Sequence, residues 1–175
     1  FHRNGGHLYR LTDSNGDDQL DTMKEIPSTT GGGEHGNHAL ILTPDKTGIY
    51  MNSGNHSKLA DHVASRVQSW DEDLLLPRMS DSNGHANGVM APGGRVTWLD
   101  PKTETQTVHA IGFRNQYDIA LNRFGDMFTY DADMEYDLGS PWYRPTRIFH
   151  VVSGADFCWR HGSGKWPSYY EDSLP

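Results

Sequence analysis

The sequence predicts an all-β chain, and more narrowly a partial β-propeller of about three blades, with residues 1–175 forming part of a single propeller domain. Three observations lead there. A strand–turn–strand pattern occurs twice, 79 positions apart: His38 to Asp45 runs into Ile49 to Met51, and Tyr117 to Gly125 runs into Met127 to Thr129 with one residue fewer in the turn. That spacing is near twice the roughly 40 to 50 residues of one blade, so equivalent hairpins two blades apart are expected. Nineteen Gly and nine Pro, with only 35% hydrophobic residues, describe short strands joined by long polar connections. Aromatic residues, 11% of the chain, supply bulk to pack between sheets.

The elements follow in order. Gly6 to Leu11 alternates as a strand, and Leu20 to Ile26 returns beside it across the acidic turn 13–18. Residues 29–33 lead into the first repeat copy, which ends near Gly54 and Asn55. From 56 to 88 the pattern weakens. Leu59, Val63, Val67 and Trp70 fall at helical spacing, but Pro77 and the turn 81–84 point to a long loop with at most one helical turn. Arg95 to Leu99 and Thr105 to Ala110, rich in Thr, Val and Trp, read as two strands about a Pro101–Lys102 turn. After the second repeat copy comes a Pro- and aromatic-rich loop to Arg147, then strands at Ile148 to Val152 and Asp156 to Trp159. The total is about ten strands, or roughly three blades at four strands each. Closed propellers need at least four, so this is read as a piece of a longer protein, as is the start at Phe1.

A net charge of −8 disfavours nucleic acid and anionic membrane surfaces as partners, because an acidic surface repels both. No run approaches the ~20 apolar residues of a membrane helix, so no membrane insertion by this segment is expected. The single cysteine, Cys158, excludes an internal disulfide and reads as a small buried residue.

Several clusters carry chemistry. Asp13, Asn15, Asp17 and Asp21 place oxygens at alternate positions of a short loop, a spacing able to wrap calcium, although Asp and Asn also simply favour turns. The loop is not an EF-hand, since Gly16 falls at its fourth position and Lys24 at its twelfth. Glu34 and His35 precede a strand, where a histidine can take a proton from a hydroxyl and a carboxylate can orient its ring; adjacent residues of an extended chain, however, point opposite ways, and His35 and His38 could instead bind metal or cap loops. Arg114 and Asn115 occupy the corresponding place before the second copy, suited either to carboxylate or quinone oxygens or to a structural loop tie. Asp131, Asp133, Glu135 and Asp137 could hold a cation or stay solvated. His85 is a further channel candidate, and Trp142, Tyr143, Trp159 and Trp166 could form either a sugar-stacking wall or packing between blades.

Together these motifs resemble the soluble glucose/sorbosone dehydrogenase family, six-bladed propellers that bind pyrroloquinoline quinone (PQQ). Glu34-His35 with Leu40 and Pro44-Asp45 resembles the family's acid–His segment, whose His is the catalytic base. Phe113 to Gln116 resembles its Arg-Asn-Pro segment, whose Arg and Asn contact the quinone, and Ser153 to Trp159 resembles the close of the following blade. Phe113 to Glu135, Pro141 to Arg147 and Gly162 to Pro175 also resemble the multidomain membrane-bound dehydrogenases of planctomycetes and related bacteria. In that group the propeller is joined to a haem-binding cytochrome c domain, and this chain contains no Cys-x-x-Cys-His. Two departures stand out: Asp131-Ala132-Asp133 replaces a Gly-Pro that holds the cofactor's calcium, and Gln116 replaces a Pro.

The resemblance implies a periplasmic or extracellular oxidoreductase that oxidises a sugar or polyol. His35 would be the base with Glu34 beside it, Arg114, Asn115 and His85 would hold PQQ, and electrons would pass to haem on a domain outside this segment. The alternative is a non-catalytic, calcium-stabilised propeller that binds carbohydrate or protein.

Overall fold

A computed structural model describes residues 2–4, 6–28, 30–60, 63–70, 88–131 and 146–160. These residues contain eleven strands and no helix: β1 His2–Asn4, β2 His7–Thr12, β3 Thr22–Ile26, β4 Asn37–Leu42, β5 Ile49–Ser53, β6 Ala64–Ser65, β7 Gly94–Leu99, β8 Gln106–Phe113, β9 Ile119–Leu121, β10 Met127–Asp131 and β11 Arg147–Val151. They form three sheets with orders β1-β2-β3, β4-β5-β7-β8-β6 and β9-β10-β11, none closed on itself. Every pairing is antiparallel except that of β6, which lies parallel to β8.

The three sheets stack with the five-stranded one in the middle. Side chains alternate across a strand, so β5 sends Ile49 and Met51 to one side and Tyr50 to the other. On the first side Ile49, Met51 and Leu99 pack against Leu8 and Ile26 of the first sheet. On the second, Val96, Ala110 and Phe113 pack against Ile119, Met127 and Val151 of the third. Phe113, Phe149 and Phe157 meet there as an aromatic trio with centroids 4.6–5.8 Å apart. A smaller cluster joins Val67 to Val108 and Ile111.

The repeat is real, but its spatial meaning differs from the expectation. β4-β5 and β9-β10 open sheets that adjoin directly, with Ile41 and Tyr50 packed on the cluster containing Ile119 and Met127. Even the equivalent positions His38 and Tyr117 touch, their rings 4.8 Å apart. The 79-residue spacing is long because the connection between β5 and β7 is long, not because a blade intervenes.

That connection also explains the helical spacing at 59–70. No helix forms in its described part: Ala64–Ser65 pairs with β8, and Leu59, Val63, Val67 and Trp70 pack on the smaller cluster. Residues 156–159 form no strand of their own, and only Asp156 bridges to Ile111. Cys158 is exposed rather than buried, with φ 68°, whereas Trp159 is 1% exposed and therefore part of the core, not of a sugar-facing wall.

The acidic tip between β2 and β3 is ordered by its own side chains. Asp13 Oδ1 accepts from the amides of Asn15 and Gly16, and its Oδ2 from Asp18 N. Asp21 accepts from the amide and hydroxyl of Ser14, and Asp17 from Gln19 N. The Gly16 amide lowers the Asp13 carboxyl below its ordinary value, and the Ser14 hydroxyl does the same for Asp21, each opposed by some desolvation.

Two expectations follow. Gly112 has φ 81°, and a Cβ there would stand 2.6 Å from the amide nitrogens of Phe157 and Cys158. Gly112→Ala should destabilise the protein by about 2–4 kcal/mol in urea unfolding, since it meets backbone as well as the Asp156 carboxylate. For the tip, carboxyls held below 3.8 stabilise the fold above that pH and lose the effect as pH falls through their folded values. Amide exchange at Ser14, Gly16 and Asp18 should therefore accelerate selectively on acidification below pH 3.8, relative to amides of β5, beyond the intrinsic pH trend.

Candidate functional site

The start of β4, the ends of β5 and β8, the start of β9 and the end of β10 all lie at one end of the stack. Their flanking loops bring together Glu34, His35, His38, Asn55, His56, Arg114, Asn115 and Asp131. These loops are tied through backbone: Asn55 N donates to the carbonyl of Arg114 at 2.8 Å, and His56 N to that of His35 at 3.0 Å. Gly54 permits this approach, since a Cβ there would come within 2.6 Å of the His35 carbonyl and the Asn115 amide oxygen.

His35 is the centre of the cluster and is 1% exposed. Its Nδ1 lies 2.7 Å from Asn55 Oδ1, and its ring stacks on His56 with centroids 4.6 Å apart. An amide oxygen only accepts, so Nδ1 carries a proton in this bond. Asn55 is itself buried, and its Nδ2 has no hydrogen-bond partner among the described residues. A buried donor of that kind calls for an oxygen from water or from a ligand. Beside it, a cavity of about 510 Å³ is walled by Asn55, His56, Lys58, Met90, Pro92 and Arg95.

The second loop is fixed by a carboxylate. Asp131 Oδ2 accepts from Arg114 N at 2.6 Å and its Oδ1 from Asn115 N at 2.7 Å. Both Asp131 and Arg114 are buried. The Asn115 amide is committed as well: its Oδ1 accepts from His38 Nε2 at 2.7 Å, and its Nδ2 points to the Glu34 carbonyl at 3.4 Å. Gln116, where a Pro was expected, is fully buried and donates to Ser53 O.

Of the residues singled out in the sequence, His35, Arg114, Asn115 and Asp131 therefore converge. Glu34 is present through its carbonyl alone; its carboxylate is exposed and does not orient His35. Asn55, twenty positions further on, does that instead. The only sequence signal for it was the Gly54-Asn55 pair closing the first repeat copy. Among the described residues Asp131 is engaged by the amides of Arg114 and Asn115. Asp13, Asn15, Asp17 and Asp21 sit in a separate exposed hairpin. Among the described residues no group of three or more His, Cys, Asp or Glu is arranged to hold a metal ion. His85, Asp133, Glu135, Asp137, Trp142, Tyr143 and Trp166 lie outside the described residues.

Fold and site together define an all-β protein of stacked antiparallel sheets with a buried histidine–asparagine centre at one end of the stack. No family model matches the chain, and no curated protein matches it. Among the described residues no helix is long and apolar enough to cross a membrane.

Asp131 is the part of the site most open to a stability test. Asp131→Ala strands two amides that now share its carboxylate and should cost about 2–5 kcal/mol in urea unfolding. Asp126→Ala, on an exposed turn of the same hairpin, should change stability by less than about 1 kcal/mol.

Proposed function

We propose that the chain is part of a β-propeller, six-bladed as in the glucose/sorbosone dehydrogenases it resembles, whose histidine-centred site oxidises a hydroxyl of a sugar or polyol. His35 takes the hydroxyl proton on Nε2. The observation that carries this reading is the 2.7 Å bond from His35 Nδ1 to Asn55 Oδ1, which fixes the tautomer a general base requires. The propeller reading is supported by the path of the chain: the middle sheet is a meander from β4 to β8, and the chain then crosses to open the third sheet at β9, beside β4.

The fit to PQQ is uneven. Arg114 lies in the buried turn held against Asn55, and Asn55 offers a donor in want of an oxygen. Asn115 is spent on His38 and Glu34, so this chain's share of a quinone site would be Arg114 and Asn55. When bound, the quinone supplies the acceptor for the hydride equivalent leaving the hydroxyl-bearing carbon. The chain's own part is to orient His35, hold its proton on Nδ1, and seal the site behind a ring stack that limits water. A haem domain of the parent protein would take the electrons onward, in the periplasm or outside the cell.

The burial of His35 favours a second reading, a non-catalytic propeller that binds carbohydrate or protein with calcium on the β2–β3 tip. Dye-linked oxidation of a panel of sugars and polyols by the full-length protein, loaded with PQQ and calcium, separates the two. On the first reading His35→Gln should lower turnover about 10²- to 10⁴-fold with cofactor binding retained. Asn55→Asp, which keeps the acceptor for Nδ1, should retain most of it. Turnover unchanged in His35→Gln, or absent from the wild type at every calcium level, moves the function to the binding propeller.

A further inference from the structure

A second concave site lies toward the other end of the middle sheet, nearer the turn 43–48, and does not depend on the histidine centre. Tyr50, Trp98 and Thr107 are cross-strand neighbours on β5, β7 and β8, and so share the face that looks toward the third sheet. His109 joins them from β8, its ring set edge-on to Tyr50 at 5.2 Å. With Arg66 and Ser153 they line a groove of about 410 Å³.

The chemistry of this lining is one-sided. Among the described residues that line it, every polar side chain can donate a hydrogen bond and none is a carboxylate, in a chain whose net charge is −8. Burial, and secondarily Arg66, pushes the His109 imidazole below its usual value, leaving it neutral at pH 7 with one N–H to offer. Burial, with Asp45 next, pushes the Tyr50 hydroxyl up, so it keeps its proton. Among the described residues the Arg66 guanidinium, the Tyr50 hydroxyl and the His109 ring nitrogens have no hydrogen-bond or ion-pair partner. A fixed cation and neutral donors beside an indole and a phenol match a flat, partly apolar body that carries an anionic group.

We propose that this groove binds a carboxylate carried on a sugar ring, with Arg66 pairing the carboxylate, Tyr50 and His109 donating to ring oxygens, and Trp98 contributing apolar surface. A neutral sugar leaves the guanidinium unpaired, and a bare carboxylate leaves the aromatic surface unused, so the combination is what the lining selects.

Calorimetric titration of the full-length protein with glucuronate, glucose and acetate tests this. Glucuronate should bind at least about tenfold more tightly than either of the others. Arg66 is exposed, so Arg66→Gln should leave the melting temperature unchanged while weakening glucuronate about tenfold or more. His109→Gln, which retains a donor, should weaken it less, and His35→Gln should leave it unaltered. Equal affinity for glucose and glucuronate, absence of glucuronate binding, or full affinity in Arg66→Gln would each overturn the proposal.

Discussion

Burial of the middle sheet on both faces is the constraint on which the rest of the structure depends. A sheet of this kind cannot use the apolar-in, polar-out alternation of a one-faced sheet, and its inner strands β5, β7 and β8 accordingly read as largely buried positions. β7 is buried at Gly94, Arg95, Val96, Thr97 and Leu99, and β8 from Ala110 through Phe113. The flanking sheets each need one apolar face, which they satisfy against it. Their outer faces are correspondingly looser, and Ile148 on β11 is 80% exposed.

The same constraint builds the site. Once two sheets are locked face to face, the loops at one end are brought together and their polar groups must find partners in a confined space. Asp131 satisfies the amides of Arg114 and Asn115, Asn115 satisfies His38, and Asn55 satisfies His35. Each tie crosses between loops far apart in sequence, from 16 positions for Asn115–Asp131 to 77 for His38–Asn115. Among these described side chains Asn55 keeps a donor without a partner, and it does so beside a cavity. A network tied in this way is ordered in advance of any ligand, which is the arrangement that lowers the cost of binding.

Much of the fold was legible because strand signals are local. The β2–β3 hairpin, both repeat hairpins and the β7–β8 pair fall within a few residues of where alternation and turn residues put them. What the repeat could not reveal was whether its spacing reflected an intervening blade or a long excursion, since both give the same count of residues. The helical spacing of Leu59, Val63, Val67 and Trp70 was outweighed by the loop signals around it, and apolar residues reaching one cluster from an irregular path do imitate a helical face. In the site, His35, Arg114 and Asn115 were visible as residue types at strand entrances. Asn55 was not, because its importance lies in a contact made through space. Glu34 and His35 were grouped by adjacency, and the divergence of neighbouring side chains that already weighed against that grouping is what separates them.

The outer margin of β8 has a bearing on how the molecule behaves among its own copies. Arg66 N bonds Val108 O, Gly154 N bonds His109 O, Ile111 N bonds Ala155 O, and Phe157 N and Trp159 N bond the carbonyls of Ile111 and Gly112. The last strand of the central meander thus has its free row of backbone groups occupied by β6 on one stretch and by the 154–159 segment on the next. Terminated in this way, that margin of the sheet offers no template for an incoming strand. The short parallel strand and the loop after β11 therefore act as a guard against edge-to-edge self-association, a role that neither their length nor their composition would suggest.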